Sequence, residues 1–192
     1  MALKQKIIII FSEILIVFFA VLFIVYFMKD DSSRWQVALG GIGVSAVPLF
    51  LLFLKNNPFN IPSLLGYYVL IFCTTYLGSI ESFYLKYKWW DSSLHFYKGI
   101  LVSYIGITLY QVLIPQPVRK GISRWIFFLF LLSLAVTATV LWEIYEFAGD
   151  QFFTHTMQRG GNKDTMYDLI CGLTGGFLLS LYFSLKTQKI RG

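Results

Sequence analysis

The chain has 192 residues, 57% of them hydrophobic and 14% charged, with a mean hydropathy of +0.66. A soluble domain carries about 25% charged and about 45–50% apolar residues, so this composition excludes an ordinary water-soluble fold. The net charge of +6 does not point to nucleic acid, because the basic residues stand at the ends of apolar runs rather than in one stripe. They read as topology signals and headgroup anchors.

In chain order the apolar runs are Ile7 to Phe27, Trp35 to Leu54, Ser63 to Tyr84, Ser93 to Ile114, Trp125 to Phe147 and Thr165 to Leu185. Each approaches the ~20 residues that a helix needs to cross ~30 Å of hydrocarbon. No run shows the two-residue alternation of a barrel strand, and backbone groups in lipid must be satisfied within a helix or a closed barrel. The expected fold is all-α, a polytopic transmembrane bundle of about six helices forming one integral membrane domain over residues 1–192. The first run follows Lys4 and Lys6 as a signal peptide would, but it exceeds the ~7–15 apolar residues of one and no small-residue cleavage site follows. It reads as a retained span.

Between the runs lie Lys29-Asp30-Asp31-Ser32-Ser33, Lys55-Asn56-Asn57-Pro58, Lys86 to Ser92, Pro115-Gln116-Pro117 and the polar stretch Gly149 to Asp164. The side holding both termini carries Lys4, Lys6, Lys55, Arg119, Lys120, Arg124, Lys186, Lys189 and Arg191. The opposite side carries Lys29, Arg34, Lys86, Lys88, Arg159 and Lys163. Positive-inside then puts both termini in the cytoplasm of a multi-pass cell-membrane protein. The aromatic-rich segments Tyr84 to Trp90 and Phe152-Phe153 suit a membrane interface.

Acidic residues divide the other way. Asp30, Asp31, Glu81, Asp91, Glu143, Glu146, Asp150 and Asp164 lie at or beside the outer ends, and Asp168 is one turn deeper. Asp91 and His95 are i,i+4, Glu143 and Glu146 are i,i+3, and Asp164 and Asp168 are i,i+4, so each pair shares a helix face. Antiparallel neighbours bring these ends to one depth, and Lys98 is placed to join them. A charge at mid-bilayer costs about 2.5–3.5 kcal/mol, so His95, Glu143, Glu146 and Asp168 are expected to serve a polar site. For Asp91 and Asp164, plain stabilisation of a helix N-terminus is the competing reading.

Five carboxylates against Lys98 and His95 leave an excess of negative charge, so the pocket should hold protons or a cation. Oxygen-rich ligation with one imidazole suits a hard divalent ion better than thiolate-bound zinc. Cys73 and Cys171 lie inside spans without CxxC spacing and read as isolated thiols. Gly41-Ile42-Gly43 reads as helix packing rather than a dinucleotide fingerprint, and Gly172 and Gly176 as a close-approach motif below Asp168. His155 reads as a loop residue, and Glu13 has no assigned role.

Three motifs carry a family resemblance: Asp91-Ser-Ser-Leu-His95-Phe-Tyr-Lys-Gly99, Trp142-Glu143-Ile-Tyr-Glu146, and Asp164-Thr-Met-Tyr-Asp168-Leu-Ile-Cys-Gly172-Leu-Thr-Gly-Gly176. In this order they resemble the YjdF-type family of bacterial inner-membrane proteins, and more loosely the VanZ-like family, whose closing Asn and Arg are not evident here. The resemblance implies a bacterial cytoplasmic membrane and the same six polar residues, and it implies no reaction. Three functions stay open. The pocket binds a cation or a cationic lipid headgroup; or it is an enzyme site acting on a lipid or lipid-linked substrate, with His95 as general base; or it is a structural network in an accessory membrane subunit.

Overall fold

The computed structural model describes residues 2–152, 157 and 161–186. It contains six helices long and apolar enough to cross a membrane, and no strand among the described residues. They are α1 (Leu3–Met28), α2 (Ser32–Ala46, continued by a 3-10 segment Val47–Phe53), α3 (Ile61–Ile71, continued by a π-helical segment Phe72–Ile80), α4 (Trp90–Leu113), α5 (Arg124–Phe152) and α6 (Asn162–Leu185). One-turn helices, Phe83–Lys86 and Gln116–Arg119, lie in two of the connections. The chain divides into two compact units, Met1–Trp90 and Asp91–Gly192.

In the first unit the helix ends are written in local chemistry. The Asp31 carboxylate accepts from the Arg34 backbone N–H at 3.1 Å and so caps α2. Asn60 does the same for α3 from Ser63 at 3.0 Å, with Pro62 in the first turn. Pro48 cannot donate to the Val44 carbonyl four residues back. There α2 tightens into its 3-10 segment, and the Tyr67 hydroxyl donates to that carbonyl at 2.8 Å. The third span ends at Ile80 rather than Tyr84, because Ser82 adopts a left-handed conformation (φ 62°) that breaks the helix.

Buried Ile8, Leu15, Phe19, Ala38, Leu64, Tyr68, Ile71 and Ile80 form the core of this unit. A Cβ on Gly41 would stand 2.8 Å from the Phe19 ring, whereas Gly43 has nothing within 4 Å, so helix packing accounts for Gly41 alone. A buried side-chain pairing across α1 and α3 is closed on itself. The Tyr68 hydroxyl donates to the Ile8 carbonyl at 3.1 Å and lies 2.9 Å from the Ser12 hydroxyl. Arg34 fastens one end, reaching the Asp31 carboxylate at 2.7 Å and the Ile80 carbonyl at 3.0 Å. That guanidinium and the Arg34 N–H hold the Asp31 carboxyl below its ordinary range. Lys4 reaches the Asn57 carbonyl at the other end, at 3.2 Å. Glu13 is exposed on α1.

The second unit is drawn together by glycine. A Cβ on Gly99 of α4 would collide with the Gly172 carbonyl of α6, and one on Gly175 with the Phe96 carbonyl of α4. A Cβ on Gly172 would also meet the Thr139 side chain of α5, and one on Gly176 the Ala135 methyl at 2.5 Å. The expected close approach at Gly172 and Gly176 is present, and it involves both neighbouring helices. Ile107, Tyr110, Phe127 and Leu131 pack lower down, with the Tyr110 and Phe127 rings 4.7 Å apart. The buried Ser103 hydroxyl lies 3.3 Å from the Gly176 carbonyl and 3.3 Å from the Ser180 hydroxyl. The fifth span runs on to Phe152, absorbing the start of the polar stretch, and so carries Glu143 and Glu146 within its helix instead of at its end.

Candidate functional site

The site lies where α4 begins, α5 approaches its end and α6 begins. Helical spacing places Asp91 and His95 on one face of α4, and their atoms meet there. The Asp91 Oδ1 atom lies 3.7 Å from the His95 Nε2 atom. His95 is completely buried, with Glu143 at 5% and Asp168 at 2% exposure. Glu143 comes in from α5, its Oε1 3.5 Å from the same Nε2. Asp168 of α6 offers an oxygen that, with one atom each from Asp91 and His95, makes a group lying within 4.8 Å of one another.

Lys98, one turn along α4, places its ammonium 3.3 Å from His95 Nε2 and 4.0 Å above the centre of the Trp142 ring. With Lys98 charged, its ammonium can only donate, so Nε2 is the acceptor and the ring proton is on Nδ1. The imidazole therefore turns a lone pair toward the acidic groups. Nδ1 and Glu143 Oε1 are both buried without a hydrogen-bond partner among the described residues. A lone buried carboxylate oxygen costs about 1–3 kcal/mol or more when no donor reaches it. Four carboxylates, Asp91, Glu143, Glu146 and Asp168, act on one ammonium here, an excess of three negative charges when all are ionised and His95 is neutral.

The other residues singled out from the sequence take distinct places. Glu146 turns to its own helix and accepts from the Trp142 indole N–H at 2.6 Å, half-buried. Asp164 is half-buried one turn above Asp168. His155 lies outside the described residues, as do Phe153, Arg159, Lys189 and Arg191. Cys73 and Cys171 are free thiols.

Three polar contacts had no signal of their own in the sequence. The Ser92 hydroxyl donates to Asp168 Oδ1 at 2.8 Å and also hydrogen-bonds Cys171. Thr165 hydrogen-bonds the Glu143 carboxyl. Trp142 sits between Lys98 and Glu146. Ser92, Trp142 and Thr165 all fall inside the three motifs, and their uncharged side chains gave no cost argument of the kind that marks an acid.

Residues 10–189, nearly the whole chain, match the family model described as "Predicted membrane protein (DUF2238)". The chain belongs to this family. It is similar to a Thermotoga maritima protein described as "Uncharacterized protein", 32% identical over 121 residues, which are 62% of this chain and 60% of that one. The chain thus matches about 60% of that relative's length. No solved structure matches. The family and the six apolar helices agree on a membrane protein embedded in a lipid bilayer.

Proposed function

We propose that this is a cation-binding membrane protein, with Asp91, His95, Glu143 and Asp168 as the ligands and a hard divalent ion as the species they fit best. One observation carries the reading: buried Glu143 Oε1 has no hydrogen-bond partner among the described residues yet lies 3.5 Å from a histidine nitrogen, with Asp91 Oδ1 at 3.7 Å from the same nitrogen. These separations are too long for hydrogen bonds. Metal bonds of about 2.1 Å put adjacent ligands roughly 3.0–3.5 Å apart, so Asp91 and Glu143 need close on His95 by only a few tenths of an ångström, with Asp168 following from within 4.8 Å of Asp91 and His95. One imidazole among carboxylates suits Mn²⁺ or Mg²⁺ better than a thiolate-seeking metal. Glu146 and Asp164 add negative charge around these ligands.

Lys98 is then an internal competitor, an ammonium on the nitrogen that the ion would use. An entering ion has to displace it toward the Trp142 ring and the surrounding carboxylates. The orientation belongs to the same proposal: a bacterial cytoplasmic membrane, both termini inside and the site opening outward, supported by the basic-residue bias and by the YjdF-type motifs within the matched segment. Labelling of a Lys88→Cys protein in intact cells by an impermeant thiol reagent is expected; labelling from the cytoplasmic side alone would reverse the orientation.

The ion reading is tested by thermal melts of detergent-solubilised protein. A ligand at a hundredfold excess over its Kd stabilises the folded state by about 2.7 kcal/mol, so Mn²⁺ should raise Tm near neutral pH and less in acid, where protons compete for the oxygens. Glu143→Gln combined with Asp168→Asn should abolish the response. Lys98→Met should shift it to lower Mn²⁺ concentration. If no divalent ion moves Tm and Lys98→Met only destabilises, the cluster is a structural network and the cation reading fails.

A further inference from the structure

A groove runs between α5 and α6 directly below the site, lined by Val136, Thr139, Val140, Met166, Ile170 and Leu173, with a volume of ≈ 230 Å³. This is smaller than the roughly 300–1,000 Å³ of small-molecule pockets. The Thr139 hydroxyl is already spent on the Ala135 carbonyl at 2.9 Å, so the groove offers a ligand no polar contact. It is a slot for hydrocarbon. From Met166 to Leu173 it is about 10 Å long at ~1.5 Å per residue.

The acidic residues of α5 stand one and two turns beyond the slot's Thr139. Thr139, Glu143 and Glu146 follow one another on α5 at four- and three-residue spacing, and the Glu143 carboxyl is hydrogen-bonded to Thr165 at the α6 side, next to Met166. An occupant whose chain fills the slot therefore carries its polar end to Glu143 and Glu146. Negative charge in excess at that end excludes an anionic headgroup and selects a positive one. The protein's own Lys98, an ammonium held over Trp142 beside these carboxylates, shows the chemistry that such a headgroup would reuse.

We propose that the groove seats one acyl chain of an ammonium-bearing phospholipid, its headgroup nitrogen meeting the Glu143 and Glu146 carboxylates. The inference rests on the reading that the site takes positive charge, and it adds the lipid as the source of that charge beside the metal ion. Chain and headgroup contribute separately, so each can be removed alone.

The test uses full-length protein in detergent with five probes: Mn²⁺, ethanolamine, a long-chain phosphatidylethanolamine, its dihexanoyl form, and phosphatidylglycerol with the same long acyl chains. The long-chain phosphatidylethanolamine should raise Tm at a concentration lower by about tenfold or more than its dihexanoyl form or ethanolamine, and phosphatidylglycerol should not raise it. Val140→Phe with Leu173→Phe, which fills the slot, should lose the long-chain advantage and keep the Mn²⁺ response. A filled-groove protein that responds to the long-chain lipid like wild type overturns the proposal, as does equal stabilisation by phosphatidylglycerol. In the wild type, equal potency of long and short chains overturns it without any variant. Loss of the Mn²⁺ and ammonium responses together would instead mark failure of the underlying cation reading.

Discussion

The two units each contain three membrane-crossing helices, yet they bury different chemistry. In Met1–Trp90 the buried side chains are mainly aromatic and aliphatic, joined by the small hydroxyls of Ser12, Ser45 and Ser63, and the Ser12 and Tyr68 hydroxyls satisfy one another and a carbonyl. In Asp91–Gly192 the helices approach through glycines, and the depth this opens is given to His95, Glu143 and Asp168. In lipid no hydrophobic force drives helices together, so packing and internal hydrogen bonds must do it. The first unit does so with large interlocking rings, the second with backbone contact. Backbone contact is the tighter constraint, since a carbonyl cannot rotate away as a side chain can.

That contrast is sharpened first at Gly175. Gly175→Leu drives a side chain into the Phe96 carbonyl and should cost about 3 kcal/mol or more, the upper end of overpacking effects, read as a fall in Tm together with loss of the Mn²⁺ response. In the first unit, Tyr68→Phe removes the hydroxyl shared by Ile8 and Ser12 and should cost only about 1 kcal/mol, with the Mn²⁺ response unchanged. Gly43→Ala goes the other way. With nothing within 4 Å of the new methyl, it should gain about 0.5–1 kcal/mol from helix propensity, and a fall in Tm would show the two units are not so different in their tolerance.

The smallest effect is expected at Asp31. Its carboxyl titrates below the ordinary 3.8 because of Arg34, so its contribution is fully present above that value and is lost as pH falls through the lower folded value. Asp31→Asn keeps a capping oxygen but should remove this acid-side decline in Tm, and added salt should shrink the difference, since the pair is solvent-accessible.

Much of this was legible in the sequence because lipid imposes simple costs. Six long apolar runs had to be helices, and four ionisable groups inside them had to find protein partners. His95, Glu143 and Asp168 face one another or a hydroxyl and Glu146 accepts from the Trp142 indole, while Glu13 on α1, which had no assigned role, is exposed. Helical spacing put Asp91 on the face of His95, and their atoms meet. It could not separate Glu143 from Glu146, because i,i+3 residues share a face and the rotamer decides which one turns to His95 and which to Trp142. Nor did spacing reveal Ser92 or Thr165, whose hydroxyls are ordinary in a transmembrane helix until a carboxylate is known to be opposite. The π-helical end of α3 and the left-handed Ser82 have no composition signature, which is why the third apolar run passes the end of the helix by four residues.

The central claim, that these acids and His95 form one cation centre, is tested most directly by counting and identifying bound Mn²⁺ by electron paramagnetic resonance. The chain has two histidines, His95 and His155, so a nitrogen coupling to the ion is readily assigned. About one tightly bound Mn²⁺ per chain is expected, with an imidazole nitrogen coupling that persists in His155→Gln and disappears in His95→Gln. No stoichiometric binding, or a bound ion whose nitrogen coupling survives His95→Gln, would contradict the account.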